Sequence, residues 1–143
     1  MIGLTSRNWL ICRLFSYKIS LVLCRAYCRI AGVKLSQDAI ITERKIKEYL
    51  LTPRAEDDKS GFLALAGYSL QTWRELERDL RREVEEGDAL LIRTTQYGEM
   101  YHIKGQLKGP NGTILDVITV WICLRATGET RFVTLVPDKE RGR

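Results

Sequence analysis

Downstream of Gly87 the chain changes from a helical to an alternating period, and no later connection is long enough to hold a crossover helix. Four runs read as strands: residues 89–95, 100–107, 113–125 and 130–136. The segments between them, Gln96-Tyr97-Gly98-Glu99, Lys108-Gly-Pro-Asn-Gly112 and Ala126-Thr-Gly-Glu129, are short and supply the glycines that hairpins need. Parallel pairing requires a crossover of a dozen or more residues, so the sheet must be an antiparallel meander. The third strand is apolar on both faces apart from Asp116 and Thr119. That places it centrally, with helices against one side and the other side also largely covered. Asp116 stands out there as a carboxylate in apolar surroundings.

The part of the chain before Gly87 is helical in pattern. Residues 70–86 form the clearest helix, with Trp73, Leu76, Leu80 and Val84 on one face and Gly87 as the stop. Ser69 or Thr72 is the N-cap, and Thr72 and Glu75 have capping-box spacing. Arg74, Arg78, Arg81 and Arg82 gather along one edge and Glu75, Asp79, Glu83 and Glu86 along the other. The arginine edge is either a solvated face held by pairs such as Glu77 with Arg81 or a phosphate-contact strip. Residues 38–51 read as a shorter helix capped by Thr42 and ended by Pro53. A charged loop over 54–61 leads to an apolar helix at 62–66, closed by Gly67. Helices followed by an antiparallel meander make an α+β fold, with N-terminal helices packed on a four-stranded sheet.

Charge separates the first 34 residues from the rest. They hold six of the 23 basic residues and none of the 18 acidic ones, leaving 17 basic against 18 acidic groups in residues 35–143. The net charge of +5 therefore resides in the N-terminal segment, and a nearly neutral body lacks the broad positive field of a DNA-coating protein. Arg13, Lys18, Arg25 and Arg29 interrupt the apolar stretch over 9–33, which excludes a membrane span and fits a signal peptide poorly. On a helical wheel Arg7, Lys18, Arg25 and Arg29 share one sector, as in a basic interfacial helix. Three readings of this segment stand: surface docking, a packed amphipathic helix, or a stretch outside the natural product, with the true start near Val33. The domain division is thus 1–34, a basic amphipathic segment, and 35–143, a single α+β domain. Four cysteines, Cys12, Cys24, Cys28 and Cys123, are too few for a disulfide scaffold and point to the cytoplasm. Their spacing matches no zinc pattern, so no metal and no cofactor is expected.

Motifs for nucleotide, metal and hydrolase chemistry are missing: there is no Gly-x-Gly-x-x-Gly, P-loop, His-Glu-x-x-His or Gly-x-Ser-x-Gly. The one histidine, His102, cannot supply both the acid and the base of a two-histidine ribonuclease.

Several short patterns nevertheless occur in a set order. They are Lys45-x-x-x-Tyr49-Leu-Leu51, Lys59-x-x-Phe62 with Gly67, Trp73-x-x-Leu76, Tyr97-Gly98-x-x-Tyr101, Gly109-Pro-Asn-Gly112, Val120-Trp121-Ile122 and Val133-Thr134-x-x-Pro137. Together they resemble the bacterial family called domain of unknown function 6883, over about residues 35–137. That family has no established activity to carry over. Helices ahead of a four-stranded meander also resemble, more remotely, the barnase, EndoU, colicin and RelE-like ribonuclease fold. This resemblance implies a metal-independent ribonuclease of toxin type, in which a ribose 2′-hydroxyl attacks the adjacent phosphate.

On that reading Lys59 and Lys45 stabilise phosphate, with Arg74 and Arg78 as further phosphate contacts. Tyr101 or His102 transfers protons, Thr134 orients the reacting group, and Trp121 offers a base-stacking surface. Each has a structural alternative: Trp121 in the core, Tyr101 packed, Lys59 paired with Asp57 or Asp58, Thr134 a strand former. The partners expected are RNA and a neutralising or docking protein, with no membrane span. The alternative function is a non-catalytic interaction module of immunity or antitoxin type, docking through its charge-segregated helix.

Overall fold

The computed structural model describes residues 33–141. The basic segment expected over 9–33 lies outside the described residues except for Val33, as do Cys12, Cys24 and Cys28. From Lys34 onward the chain forms one compact unit. Its elements run in the order helices then strands: a π-helical turn Lys45–Leu50, helix α1 (Ser60–Ala64), a 3-10 turn Leu70–Thr72, helix α2 (Trp73–Glu86), then strands β1 (Ala89–Thr94), β2 (Gly98–Lys108), β3 (Ile114–Leu124) and β4 (Thr130–Pro137). The sheet order is β1-β2-β3-β4, antiparallel throughout, so the α+β meander is what the chain forms. The described helices lie mid-chain, immediately ahead of the sheet, rather than strictly at the N terminus.

Alternation along the strands builds the core. Tyr101, Trp121 and Phe132 stand in one cross-strand row, and Ile103, Thr119 and Leu135 in the next; all six are buried. Against these rows α2 lays Leu76, Leu80 and Val84, none of them exposed at all. Each such side chain contributes about 1.5–3 kcal/mol by leaving water. Two glycines allow the helix to come this close. A Cβ on Gly87 would stand 2.3 Å from Ile103 Cγ2, and one on Gly105 would stand 1.5 Å from Glu83 Oε2. Gly87 ends the helix with φ −74°, so close approach rather than a left-handed turn explains that glycine.

Trp121 is wholly buried; its Nε1 donates to Thr119 Oγ1 at 2.9 Å and its ring meets Phe132 edge-on at 5.3 Å. It is therefore a core residue and not a base-stacking surface. The opposite face of the sheet is less covered than its sequence suggests: Ile118, Val120, Ile122 and Val136 are only half-buried, and Leu90 is 47% exposed. Asp116 is satisfied there, accepting from Gln106 Nε2 at 2.8 Å.

Two local expectations change. Residues 38–51 are not one helix. Ala39 and Ile41 are buried while Ile40 bridges Arg131 of β4 in parallel, its N–H bonding the Thr130 carbonyl and its own carbonyl accepting from Phe132. A free edge on β4 outcompetes the weak helical signal of these β-branched residues. The helical turn then starts past Thr42, whose hydroxyl accepts from the Lys45 N–H at 3.3 Å. The second change is in the capping box: Ser69, one of the two expected caps, caps the 3-10 turn that leads into α2, its Oγ accepting from the Gln71 N–H, and Thr72 Oγ1 accepts from the Ser69 N–H at 2.9 Å. The capping box is thus Ser69 with Thr72, not Thr72 with Glu75. Between these elements, the β2–β3 hairpin tip clamps α1. Asn111 donates from its side chain to the Leu65 carbonyl at 3.0 Å, and Gly109 lies so close to Ala66 that a Cβ would stand 2.0 Å from the Ala66 carbonyl oxygen.

Candidate functional site

The π-helical turn closes with the Leu51 N–H on the Ile46 carbonyl, five residues back, and buries Ile46 and Leu50. This fixes Tyr49 beside the edge of β4. Single-turn π segments of this kind recur at functional sites. Lys45, one turn earlier, lays its ammonium over the Tyr49 ring at 4.3 Å from the centroid. The loop after Pro53 then brings the Arg54 guanidinium to 5.2 Å and the Lys59 ammonium to 5.5 Å from the same ring. Three cations thus converge on one aromatic face system, each attracted by the ring quadrupole.

At its far end the Tyr49 hydroxyl bonds Asp57 Oδ2 at 3.1 Å and Thr134 Oγ1 at 3.2 Å. An ionised carboxylate only accepts, so the single phenolic proton lies toward Asp57 and Thr134 donates to Tyr49. The other carboxylate oxygen, Asp57 Oδ1, meets Lys59 Nζ at 2.5 Å. The Lys59 ammonium and, next, the Tyr49 hydroxyl hold the Asp57 carboxyl below its ordinary range. Lys59 itself is only 5% exposed, while Asp57 is exposed and sits at φ +53°, in the left-handed region that non-glycine residues rarely adopt. Asp58 faces elsewhere, taking the Ser60 N–H and hydroxyl at 2.9 and 2.6 Å. Beyond Ser60 the surface opens into a shallow depression of about 540 Å³ between Leu51, Pro53, Gly61, Tyr68 and Leu70.

Of the residues expected from sequence, Lys45, Lys59 and Thr134 come together here, though they are spread over most of the domain. Tyr101 does not join them. It is buried in the row shared with Trp121, and its hydroxyl donates to Glu99 at 2.9 Å. His102 is half-buried and stands in the row Leu90–His102–Val120–Thr134, two strands from Thr134. Arg74 lies over the Trp73 ring at 5.3 Å, a ring it shares with Lys47 at 4.6 Å, and Arg78 is exposed on the same helix. On the rest of that edge Arg81 pairs with Glu77 and Arg82 with Asp79. Tyr49 and Arg54 are given no role in the site by the sequence reading, and Asp57 only that of a pairing partner for Lys59, which it is. The Lys45-x-x-x-Tyr49 spacing was the available signal, since residues four apart on a helical turn meet.

Among solved structures, the chain resembles one in a contact-dependent growth inhibition toxin–immunity protein complex from Klebsiella pneumoniae 342, with a TM-score of 0.56 and 16% identity over 70% of this chain and all of that one. At that identity the likeness is one of fold. No curated protein is significantly similar in sequence. The profile of a domain of unknown function (DUF6883) matches residues 34–139, almost the whole described domain, and the chain belongs to that family.

Proposed function

We propose that this protein is a metal-independent ribonuclease of toxin type whose reaction takes place at the Tyr49 cluster. The observation that carries the reading is the buried Lys59 ammonium, joined at one aromatic ring by Lys45 and Arg54 and at one hydroxyl by Thr134. The buried Lys59 ammonium, with Lys45 and Arg54 at the same ring, offers charge-assisted donors suited to a phosphodiester and to the more highly charged phosphorane that follows it. In this scheme Lys59, Lys45 and Arg54 stabilise the phosphorane. His102, on the Thr134 row, takes the 2′-hydroxyl proton, and the Tyr49 hydroxyl, oriented by its hydrogen bond with Thr134, protonates the departing 5′-oxygen, after which exchange with water restores both groups. Tyr49 so replaces Tyr101 as the phenol of the site. Arg74 and Arg78 contact phosphates further along the strand. RNA as substrate is consistent with a cytoplasmic protein, and no helix of the described residues is long and apolar enough to cross a membrane.

A neutralising protein partner belongs to this reading, since the fold neighbour comes from a toxin–immunity complex. One observation favours the alternative of a non-catalytic interaction module. Strand β1 is a sheet edge with Leu90 and Ile92 47% and 50% exposed, a surface suited to docking another protein. Induced expression separates the two. Growth arrest with RNA fragmentation, lost in Lys59→Ala and in Thr134→Ala, supports the ribonuclease; unimpaired growth with intact RNA overturns it.

A further inference from the structure

We infer that Asp57 is an internal stand-in for the substrate phosphate, an autoinhibitory carboxylate that must leave before a phosphodiester can bind. The inference rests on the ribonuclease reading of the same cluster and adds its regulation. Both Asp57 oxygens are engaged, one on Lys59 Nζ at 2.5 Å and one on the Tyr49 hydroxyl at 3.1 Å. Two donors meeting the two oxygens of one anionic group is the arrangement that the non-bridging oxygens of a phosphodiester require. Lys59 is 5% exposed, and the carboxylate on its ammonium takes the position that an incoming anion would need.

The contact is built to be reversible. Asp57 is mostly exposed and belongs to a loop, residues 54–58, that is exposed throughout, so its departure uncovers no apolar core. Its backbone sits at φ +53°, a conformation that costs a non-glycine residue of this type stability and that the two contacts must hold in place. Departure of the loop relieves that strain. Lys45, on the helical turn outside this loop, stays near the ring and adds its attraction to that of Lys59, so a phosphate group outcompetes Asp57 where a chloride ion does not.

Calorimetric titration of the full chain with inorganic phosphate, at low salt, tests this. Asp57→Asn and Asp57→Gly each remove the charge, and the glycine also accepts the left-handed backbone without strain, so a folded variant is available. Both are expected to bind phosphate about tenfold more tightly than the parent chain, a gain that shrinks with added salt. Lys59→Ala, made in either background, is expected to abolish binding. Phosphate affinity that is the same in the parent and both Asp57 variants, or undetectable in all three, overturns the inference. Its fate is separable from that of the ribonuclease. Tighter phosphate binding without RNA cleavage by the parent chain keeps Asp57 as the stand-in and discards the enzyme. Cleavage by the parent without tighter binding in the variants does the reverse.

Discussion

Tyr49 and Thr134 are 85 residues apart in the chain, yet their hydroxyl oxygens lie 3.2 Å apart, with the Thr134 proton directed at the phenolic oxygen. The bond joins a helical turn from the first half of the domain to the last strand of the sheet. It is also where the proposed chemistry is most exposed to test. Tyr49→Phe keeps the ring that holds the three cations and removes only the hydroxyl. Loss of a proton-transfer group predicts a fall of about 100-fold or more in RNA cleavage. Loss of the two hydrogen bonds of the hydroxyl, the exposed one to Asp57 and the part-buried one to Thr134, predicts only about 1–2 kcal/mol in stability. Single-turnover cleavage and urea unfolding, measured on the same preparation, separate the two; equal cleavage by the variant removes Tyr49 from the mechanism.

Thr119 and Trp121 make a buried polar pair that tests the core. Thr119→Val leaves the indole N–H of a fully buried Trp121 without its acceptor, at an expected cost of about 1–3 kcal/mol. In a Trp121→Phe background the same substitution should cost much less, because no donor remains to be orphaned. A double-mutant cycle by denaturant unfolding reads the difference, and additive costs would show that the hydrogen bond contributes nothing.

Gly109 and Gly112 occupy one turn for different reasons, and alanine at each should reveal it. At Gly112 a Cβ meets open space but the backbone has φ +85°, which predicts a loss of about 1 kcal/mol. At Gly109 the Cβ would stand 2.0 Å from a backbone carbonyl and 2.4 Å from the Ala66 Cβ, so the hairpin must separate from α1, at about 1–3 kcal/mol. Gly109→Ala should also weaken phosphate binding through displacement of the segment bearing Lys59, whereas Gly112→Ala should not. Equal effects of the two on binding would contradict the coupling.

Glu83 predicts a pH dependence. Burial against Gly105 raises its carboxyl above the ordinary value of 4.5, opposed by the Gln106 N–H that bonds it. The folded chain therefore holds this proton to higher pH than the unfolded chain does, and stability declines as pH rises from 4.5 through the folded-state pKa. Below that window the residue is protonated in both states and contributes no slope. Glu83→Gln should remove the decline and be more stable than the parent at pH 7, with little difference at pH 3. Thermal unfolding across this range checks it; a parallel pair of curves would deny Glu83 the role.

Strand number, order and hairpin turns were legible in the sequence because each depends on a local signal: a period of two, a glycine, a connection too short to cross over. The helix at Trp73–Glu86 was legible for the same reason. What failed locally was decided by distant partners. Residues 39–41 lie along the edge of β4, whose vacancy at that point no nearby residue announces. Thr72 spends its hydroxyl on Ser69 and so is unable to cap Glu75. The site was half legible. Lys45, Lys59 and Thr134 were marked through family-like spacing, but Tyr49, which unites them, reads in isolation as one more apolar-face aromatic. Tyr101 was singled out beside His102, although strand alternation places the two on opposite faces of the sheet.

The grip of the β2–β3 tip on the end of α1 has a consequence for how such chains can diversify. Lys59 is anchored from its downstream side, through a five-residue helix pinned at Leu65 and Ala66. The stretch from 54 to 58 adds to that anchor only the contacts of the exposed Asp57 carboxylate. A change in the length or composition of those five positions is thus expected to alter when the Lys59 ammonium is uncovered, while the backbone of the lysine stays where the hairpin holds it.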